Sequence, residues 1–522
     1  MIKLLRLFSL TLAISVVVFG CMRDEKLKIT YTYPGDVELW NYIFKADEPY
    51  KFESVPLGVI VPHHLIAADV LVKFYDGLSK VTQPKLVIVI SPNHYQNGDA
   101  YIQTCQYCEY QSTNGPVELG TLRDDLVRDG VAVFNDETFI QEHGIYNHAP
   151  FIKKYFPDAK IVPIVLKWKI PKEKNEALAE WLNKNLPADS LVITSVDFSH
   201  YIPVEAADFH DWSAYATIKN FDYDNVYDLE IDSPSSIYTV LKLMEKRGYQ
   251  KAERLAHTNL QDYVSHREST TSHQFFAFYK GGIDKVKSVT ISSFGNLSDN
   301  SGLLLSKGWS WDIKQFPFRD VGIIKFLDNL KGEEDRFLVG SDFMVFDLPD
   351  KKCQQEEQNS LKISFCKFSW NEKDLNQELE QIKNEKKNSD IVYLLYQFKD
   401  GNKPNIAEQN LAEKFADAGV DIFIGRGLSE ISPIKTYGKS LIFYSLGDFA
   451  GNLNSVNDGL SIGTVITPES FKIYLFPLKT IKGFPQLLDF EQRANFFKNF
   501  IKNISSSLLD MNAGKMFVEI KR

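Results

Sequence analysis

A chain of 522 residues with 44% hydrophobic and 24% charged residues holds two or three domains at about 150 residues each, every one able to bury a core. That excludes a single small module, wholesale disorder and a polytopic membrane protein. The 59 basic and 68 acidic residues leave a net charge of -9, so the chain has no global basic field for phosphate backbones, and nucleic acid is not an expected partner. Five cysteines are too few for a disulfide scaffold, and core burial must supply the stability.

The chain opens Met-Ile-Lys-Leu-Leu-Arg and runs from Leu7 to Gly20 without a charge. This is the layout of a secretory signal, and it falls short of the about 20 residues an apolar helix needs to cross a bilayer. Val18-Phe19-Gly20-Cys21 resembles the lipobox of bacterial lipoproteins, although Phe19 is an unusual occupant of its position. The resemblance implies a lipoprotein signal peptide at 1–20, Cys21 as the acylated residue, and an anchor and linker at 21–50. Several acyl chains at about 0.8 kcal/mol per buried methylene hold stably, so the expectation is an exported protein tethered to the cell membrane or outer membrane. Cys105-Gln-Tyr-Cys108 reads as a tight disulfide or two free thiols rather than half a zinc site, because no second Cys/His pair stands nearby. Cys353 and Cys366 are spaced for a structural bridge worth about 3 kcal/mol in the chain-entropy model.

From Leu57 onward short apolar runs alternate with amphipathic stretches: LGVIVP, ADVLVKFYDGLSK, KLVIVIS, AKIVPIVLK, EALAEWLNKNL, SLVITS. The rhythm is β-α-β. Continuous rather than alternating apolar runs mark strands covered on both faces, which predicts an α/β fold with a mostly parallel sheet flanked by helices. A strand from Gln274 to Tyr279 closes this region, and Gly281-Gly282 places a domain border near residue 284. The second half repeats the pattern with DIVYLLYQ, IAEQNLAEKFADAG, VDIFIG and SLIFYSLGDF.

All ten histidines fall between His63 and His273, so imidazole chemistry belongs to the first domain. His63 follows GVIVP, His94 follows VIVISPN and His200 follows LVITSVDFS. All three stand at the carboxyl ends of predicted strands, where open α/β sheets place ligands, and the group predicts a shared metal or acid/base site. His143 and His148 lie in Glu142-His143-Gly144-Ile145-Tyr146-Asn147-His148, just before a helix. His64 points to the other strand face from His63 and reads as pocket wall or surface. His210, His257, His266 and His273 read as structural.

PHH at 62–64, SPNH at 91–94, EHGIYNHAPF at 142–151, KIVPIVL at 160–166 and SVDFSH at 195–200 resemble, in order and spacing, the motifs of the Memo family, also called AmmeMemoRadiSam system protein B. The Memo-like domain is placed at 51–283. That family is similar in fold to class III extradiol ring-cleaving dioxygenases, which hold iron on two histidines and a carboxylate. The resemblance implies His63 and His94 as metal ligands, with Asp197 and His200 as polar partners and His143 and His148 beside them as catalytic candidates. Where the family has a ligand cysteine, this chain reads Asp232-Ser233-Pro234-Ser235-Ser236-Ile237. Asp232 then stands as third ligand, and two imidazoles with one carboxylate favour Fe(II) over zinc or copper as the divalent metal; an N-cap aspartate is the other reading of the same residue. Tyr146 occupies a position where the family usually carries glutamate, which removes a partner for a ligand imidazole. In the dioxygenase reading His200 shuttles the proton and Asp197 orients it.

Residues 416–425, Ser432-Pro433-Ile434-Lys435 and 442–449 resemble C-terminal motifs of the CapA, or poly-γ-glutamate capsule synthesis, family, which implies a metallophosphatase-like domain at 284–522. Gly425-Arg426-Gly427-Leu428-Ser429 stands where that family carries a Gly-His-x-x-His metal motif, and no histidine follows 273. The expectation is a catalytically silent domain, with Arg426 either an anion ligand or, more simply, a surface salt bridge. Together these readings describe a lipid-anchored protein with a mononuclear metal site, acting on a small diol or aromatic substrate. The alternative is a non-catalytic surface lipoprotein that binds metal, polysaccharide or an anionic polymer.

Overall fold

The computed structural model describes residues 26–45, 48–264, 268–294, 296–297, 336–339, 344–347, 352–370, 374–450, 456–481, 484–500, 509–512 and 517–522. Cys21, the rest of the leader and His266 lie outside them. Among the described residues no helix is long and apolar enough to cross a membrane. The chain divides into two compact units, Met1–Val196 and Asp197–Arg522, and its fold is mixed α/β with several sheets.

In the first unit the apolar runs form β1 (Leu27–Ile29), β2 (Gly58–Val61), β3 (Leu86–Pro92), β4 (Ile102–Thr104), β5 (Cys108–Tyr110), β6 (Val133–Phe134), β7 (Lys160–Leu166) and β8 (Ser190–Ser195). The sheet of this unit runs β2-β8-β3-β7-β4-β6. Strands β2, β8, β3 and β7 are mutually parallel, and β4 lies antiparallel against β7. Strands β2 and β8 are buried throughout, and β3 and β7 are buried in all but their first residue. That burial is why their sequences carry continuous apolar runs. Helix α1 (Val37–Ile43) starts at Asp36, whose carboxylate accepts from Leu39 N–H. Helix α2 (Ala68–Val81) turns Val70, Leu71, Phe74, Tyr75 and Leu78 inward, each worth about 1.5–3 kcal/mol on full burial. Tyr75 stacks at 5.4 Å on Phe151 of the helix Ala149–Tyr155. Ahead of the sheet, β1 pairs in parallel with β5, and Trp40 packs edge-on against Phe151. Cys105 and Cys108 are joined in a disulfide, one of the two states the spacing allowed.

In the second unit a helix at Val204–Asn220 and another at Pro234–Arg247 accompany an antiparallel pair, Lys251–Asn259 with Thr270–Tyr279. Further along, Leu361–Ser369, Ile391–Gly401, Ile422–Leu428 and Ser440–Phe443 form a parallel core. Lys352–Gln358 and Lys435–Tyr437 add antiparallel flanks. One face buries Phe368, Tyr396 and Phe423 under Ile382, Leu411 and Phe415 of the two covering helices. The other face buries Phe365, Tyr393 and Ile424 against Ile462, Ile473 and Val518 of an antiparallel sheet. The covering helix Ile406–Ala418 begins with a capping box between Asn405 and Glu408 and ends at Gly419, whose φ of 119° only glycine adopts freely. Cys353 and Cys366 sit opposite each other in register and are disulfide-bonded.

Candidate metal centre

His63 follows β2 and His94 follows β3, so parallel neighbours deliver both rings to the carboxyl edge of the sheet. A third ring arrives from the short helix His143–Tyr146. His63 and His94 meet edge to face at 4.8 Å, His63 and His143 at 5.0 Å, and His94 and His143 stack at 4.0 Å. One nitrogen from each ring lies within 4.8 Å of the others, so the three could hold a metal ion. His63 is buried, and His94 and His143 are half-buried.

Groups behind the rings fix their orientation. The buried Glu142 carboxylate accepts from the His94 backbone N–H at 2.9 Å, contacts His94 Nδ1 at 2.6 Å and accepts from Gly144 N–H at 3.0 Å. An ionised carboxylate only accepts, so Nδ1 donates and Nε2 of His94 keeps its lone pair for a cation. His63 Nδ1 lies 2.9 Å from Ser195 Oγ at the end of β8, and Ser195 Oγ lies 3.0 Å from His148 Nε2. His148 Nδ1 is 2.9 Å from the Tyr75 hydroxyl. Asn147 donates to the His63 carbonyl at 3.0 Å and accepts from Thr32 Oγ1 at 2.7 Å. Gly144 has no room for a side chain, because a Cβ there would stand 2.0 Å from Ser91 Oγ. Glu142, Ser195 and Tyr75 escaped the sequence reading; only the glutamate beside His143 carried a local signal. Replacing Glu142 with glutamine is expected to lower metal affinity roughly 10- to 100-fold, read by competition with a chromophoric chelator. An unchanged affinity would remove Glu142 from the centre.

His148, a catalytic candidate by resemblance, is fully buried with both ring nitrogens engaged. Tyr146 is half-buried with its ring 6.4 Å from His143, and burial raises its phenol above the ordinary value. His64 begins the turn Leu65–Ala67. Asp197, His200 and Asp232 belong to the second unit. There the Asp232 carboxylate accepts from Asp197 N–H at 3.1 Å, and Asp232 N–H donates to the Asp197 carbonyl at 3.2 Å. The cap of the following helix is Ser233, whose hydroxyl accepts from Ser236 N–H, so Asp232 is not the N-cap. The loop before His200 is tied by Phe198 and Ser199 N–H groups to Ser272. His257 bonds Asp211 at 2.6 Å, and His273 lies buried beside Thr258. Arg426 is 6% exposed within the parallel core of the second unit. It is therefore not the surface residue expected from the sequence, because its strand is covered on both faces.

The fold and the histidine cluster define an α/β protein with a ligand edge of imidazoles. Comparison with known proteins finds two domain matches: residues 39–275 match the Memo-like protein model, and residues 341–453 match that of the bacterial capsule synthesis protein PGA_cap. The chain thus contains a Memo-like domain followed by a PGA_cap domain. A MEMO1 family protein of Pyrobaculum aerophilum is 26% identical over 250 residues, covering 45% of this chain and 88% of the relative. One from Caldivirga maquilingensis is 29% identical, covering 43% and 83%. One from Pyrobaculum arsenaticum is 27% identical, covering 50% and 100%.

Proposed function

We propose that the Memo-like domain holds one divalent metal on His63 and His94, with His143 beside them, and that the centre serves a small-molecule diol or aromatic substrate. The observation that supports this reading is the convergence of three imidazoles with two of them held through Nδ1, by Glu142 and by Ser195. At His94 the carboxylate leaves Nε2 as the donor atom, and at His63 Ser195 can accept from Nδ1–H, which makes Nε2 available to a cation. A metal on such a donor set would supply charge to bind a deprotonated diol and, as Fe(II), an entry to oxygen chemistry. The chain's residues have defined tasks. Glu142 and Ser195 orient the ligand rings, and Asn147 fixes the His63 backbone. His143 offers a third imidazole, and Tyr146 borders it. The family resemblance adds Asp232 to the ligand set, with His200 and Asp197 as proton shuttle and orienting group.

Anaerobic metal analysis of the purified protein tests the proposal. About one equivalent of tightly held divalent metal is expected, and its absence at stoichiometric loading would overturn the reading. Asp232→Asn and His143→Ala measured side by side identify the third ligand by which one lowers the stoichiometry. Metal without turnover of catechols under oxygen would favour the second reading, a binding protein, to which the replacement at Tyr146 also points. On the leader's sequence alone, the same proposal tethers the protein to a membrane through Cys21, which fatty-acid labelling of that residue tests.

A further inference from the structure

Tyr75, His148, Ser195 and His63 form one buried line in the first unit, with successive contacts of 2.9, 3.0 and 2.9 Å. A serine hydroxyl carries one proton, and a neutral imidazole carries one N–H. With the line neutral and all three bonds made, two arrangements exist. In the first, the Tyr75 hydroxyl donates to His148 Nδ1, His148 Nε2–H donates to Ser195, and the Ser195 hydroxyl donates to His63 Nδ1. His63 then bears its proton on Nε2 and cannot ligate through it. In the second, His63 Nδ1–H donates to Ser195, Ser195 donates to His148 Nε2, and His148 Nδ1–H donates to the Tyr75 oxygen. His63 Nε2 is then a lone pair. Each of the four side chains keeps one proton in both arrangements, so reversal moves no net charge.

We propose that a divalent cation at His63 Nε2 selects the second arrangement and thereby reverses the donor direction of the whole line as far as Tyr75. The inference rests on the metal reading above. It makes His148 and Tyr75 positioning residues for a centre whose metal they do not touch. Burial holds the Tyr75 phenol well above its ordinary value, so the tyrosine keeps its proton in both arrangements, and donating that buried proton to His148 Nδ1 favours the first arrangement in the metal-free protein. Because linkage is reciprocal, whatever biases the Tyr75 end also shifts affinity at the His63 end.

Long-range proton–nitrogen correlation on the ¹⁵N-labelled protein, without metal and with one equivalent of Zn(II) as a diamagnetic probe, reads both tautomers. His63 and His148 are both expected as Nε2–H without metal and both as Nδ1–H with it. Ser195→Ala should uncouple them, so that His63 still switches while His148 does not, and should weaken zinc binding roughly 10- to 100-fold. The wild-type comparison decides the matter if that variant does not fold. A His63 switch with an unchanged His148 overturns the inference and leaves the metal reading standing. Failure of Zn(II) to bind overturns the metal reading instead, whereas a His63 that is already Nδ1–H without metal overturns the inference alone.

Discussion

Replacing His63 and His94 together by alanine is expected to take bound metal from about one equivalent to none, with the circular dichroism spectrum retained. Both residues follow the ends of β2 and β3 in the chain and are not members of those strands, whose apolar runs are buried. The substitutions therefore remove donors without cutting into the parallel core. They do leave the Ser195 hydroxyl and part of the Glu142 carboxylate without their imidazole partners, each a loss of about 1–3 kcal/mol. A lowered melting temperature with intact secondary structure is the expected companion of metal loss. Retention of a full equivalent of metal in the double variant would place the centre elsewhere.

Replacing Arg493 by methionine is expected to cost the second unit about 3–5 kcal/mol at alkaline pH. Arg493 is 1% exposed, and its Nε stands 2.6 Å from the fully buried Glu205 carboxylate. Its Nη1 reaches Glu268 at 2.8 Å and the Leu488 carbonyl at 2.6 Å. Burial pushes Glu205 up from 4.5 to about 7, against the pull of Arg493. A carboxyl group raised on folding contributes stability that is fully present below pH 4.5 and lost as pH rises through about 7, with a slope of up to about 1.4 kcal/mol per unit. Without the guanidinium the glutamate ionises still later, so the deficit of the variant grows between pH 5 and pH 8. Urea unfolding at those two values measures it, and equal deficits at both would contradict the account.

The α/β class was legible because doubly covered strands leave continuous apolar runs, and the placement of His63 and His94 was legible because both follow such runs directly. Both family resemblances came from motifs that survive as contiguous residues. What supports the rings was not legible. Ser195 meets His63 only because β8 inserts beside β2, and Tyr75 reaches His148 only through the inward face of α2. Neither strand order nor helix docking is written in local spacing. Glu142 was visible as a residue but not as a partner of His94, which lies 48 positions away. The same limit explains Arg426: an arginine within Ile-Gly-Arg-Gly-Leu reads as exposed until a second sheet covers its strand.

The pairing of β1 with β5 has a mechanical consequence. Leu27 is already stitched to the body, and Thr32 touches Asn147, which holds the His63 backbone. At about 3.5 Å per extended residue, the stretch from Cys21 to Leu27 spans roughly 20 Å at full stretch. A body moored at Cys21 would be on a short leash: it would sample a thin shell above the bilayer rather than the surrounding solution, and tension on the leash would be felt within two hydrogen bonds of the histidine cluster.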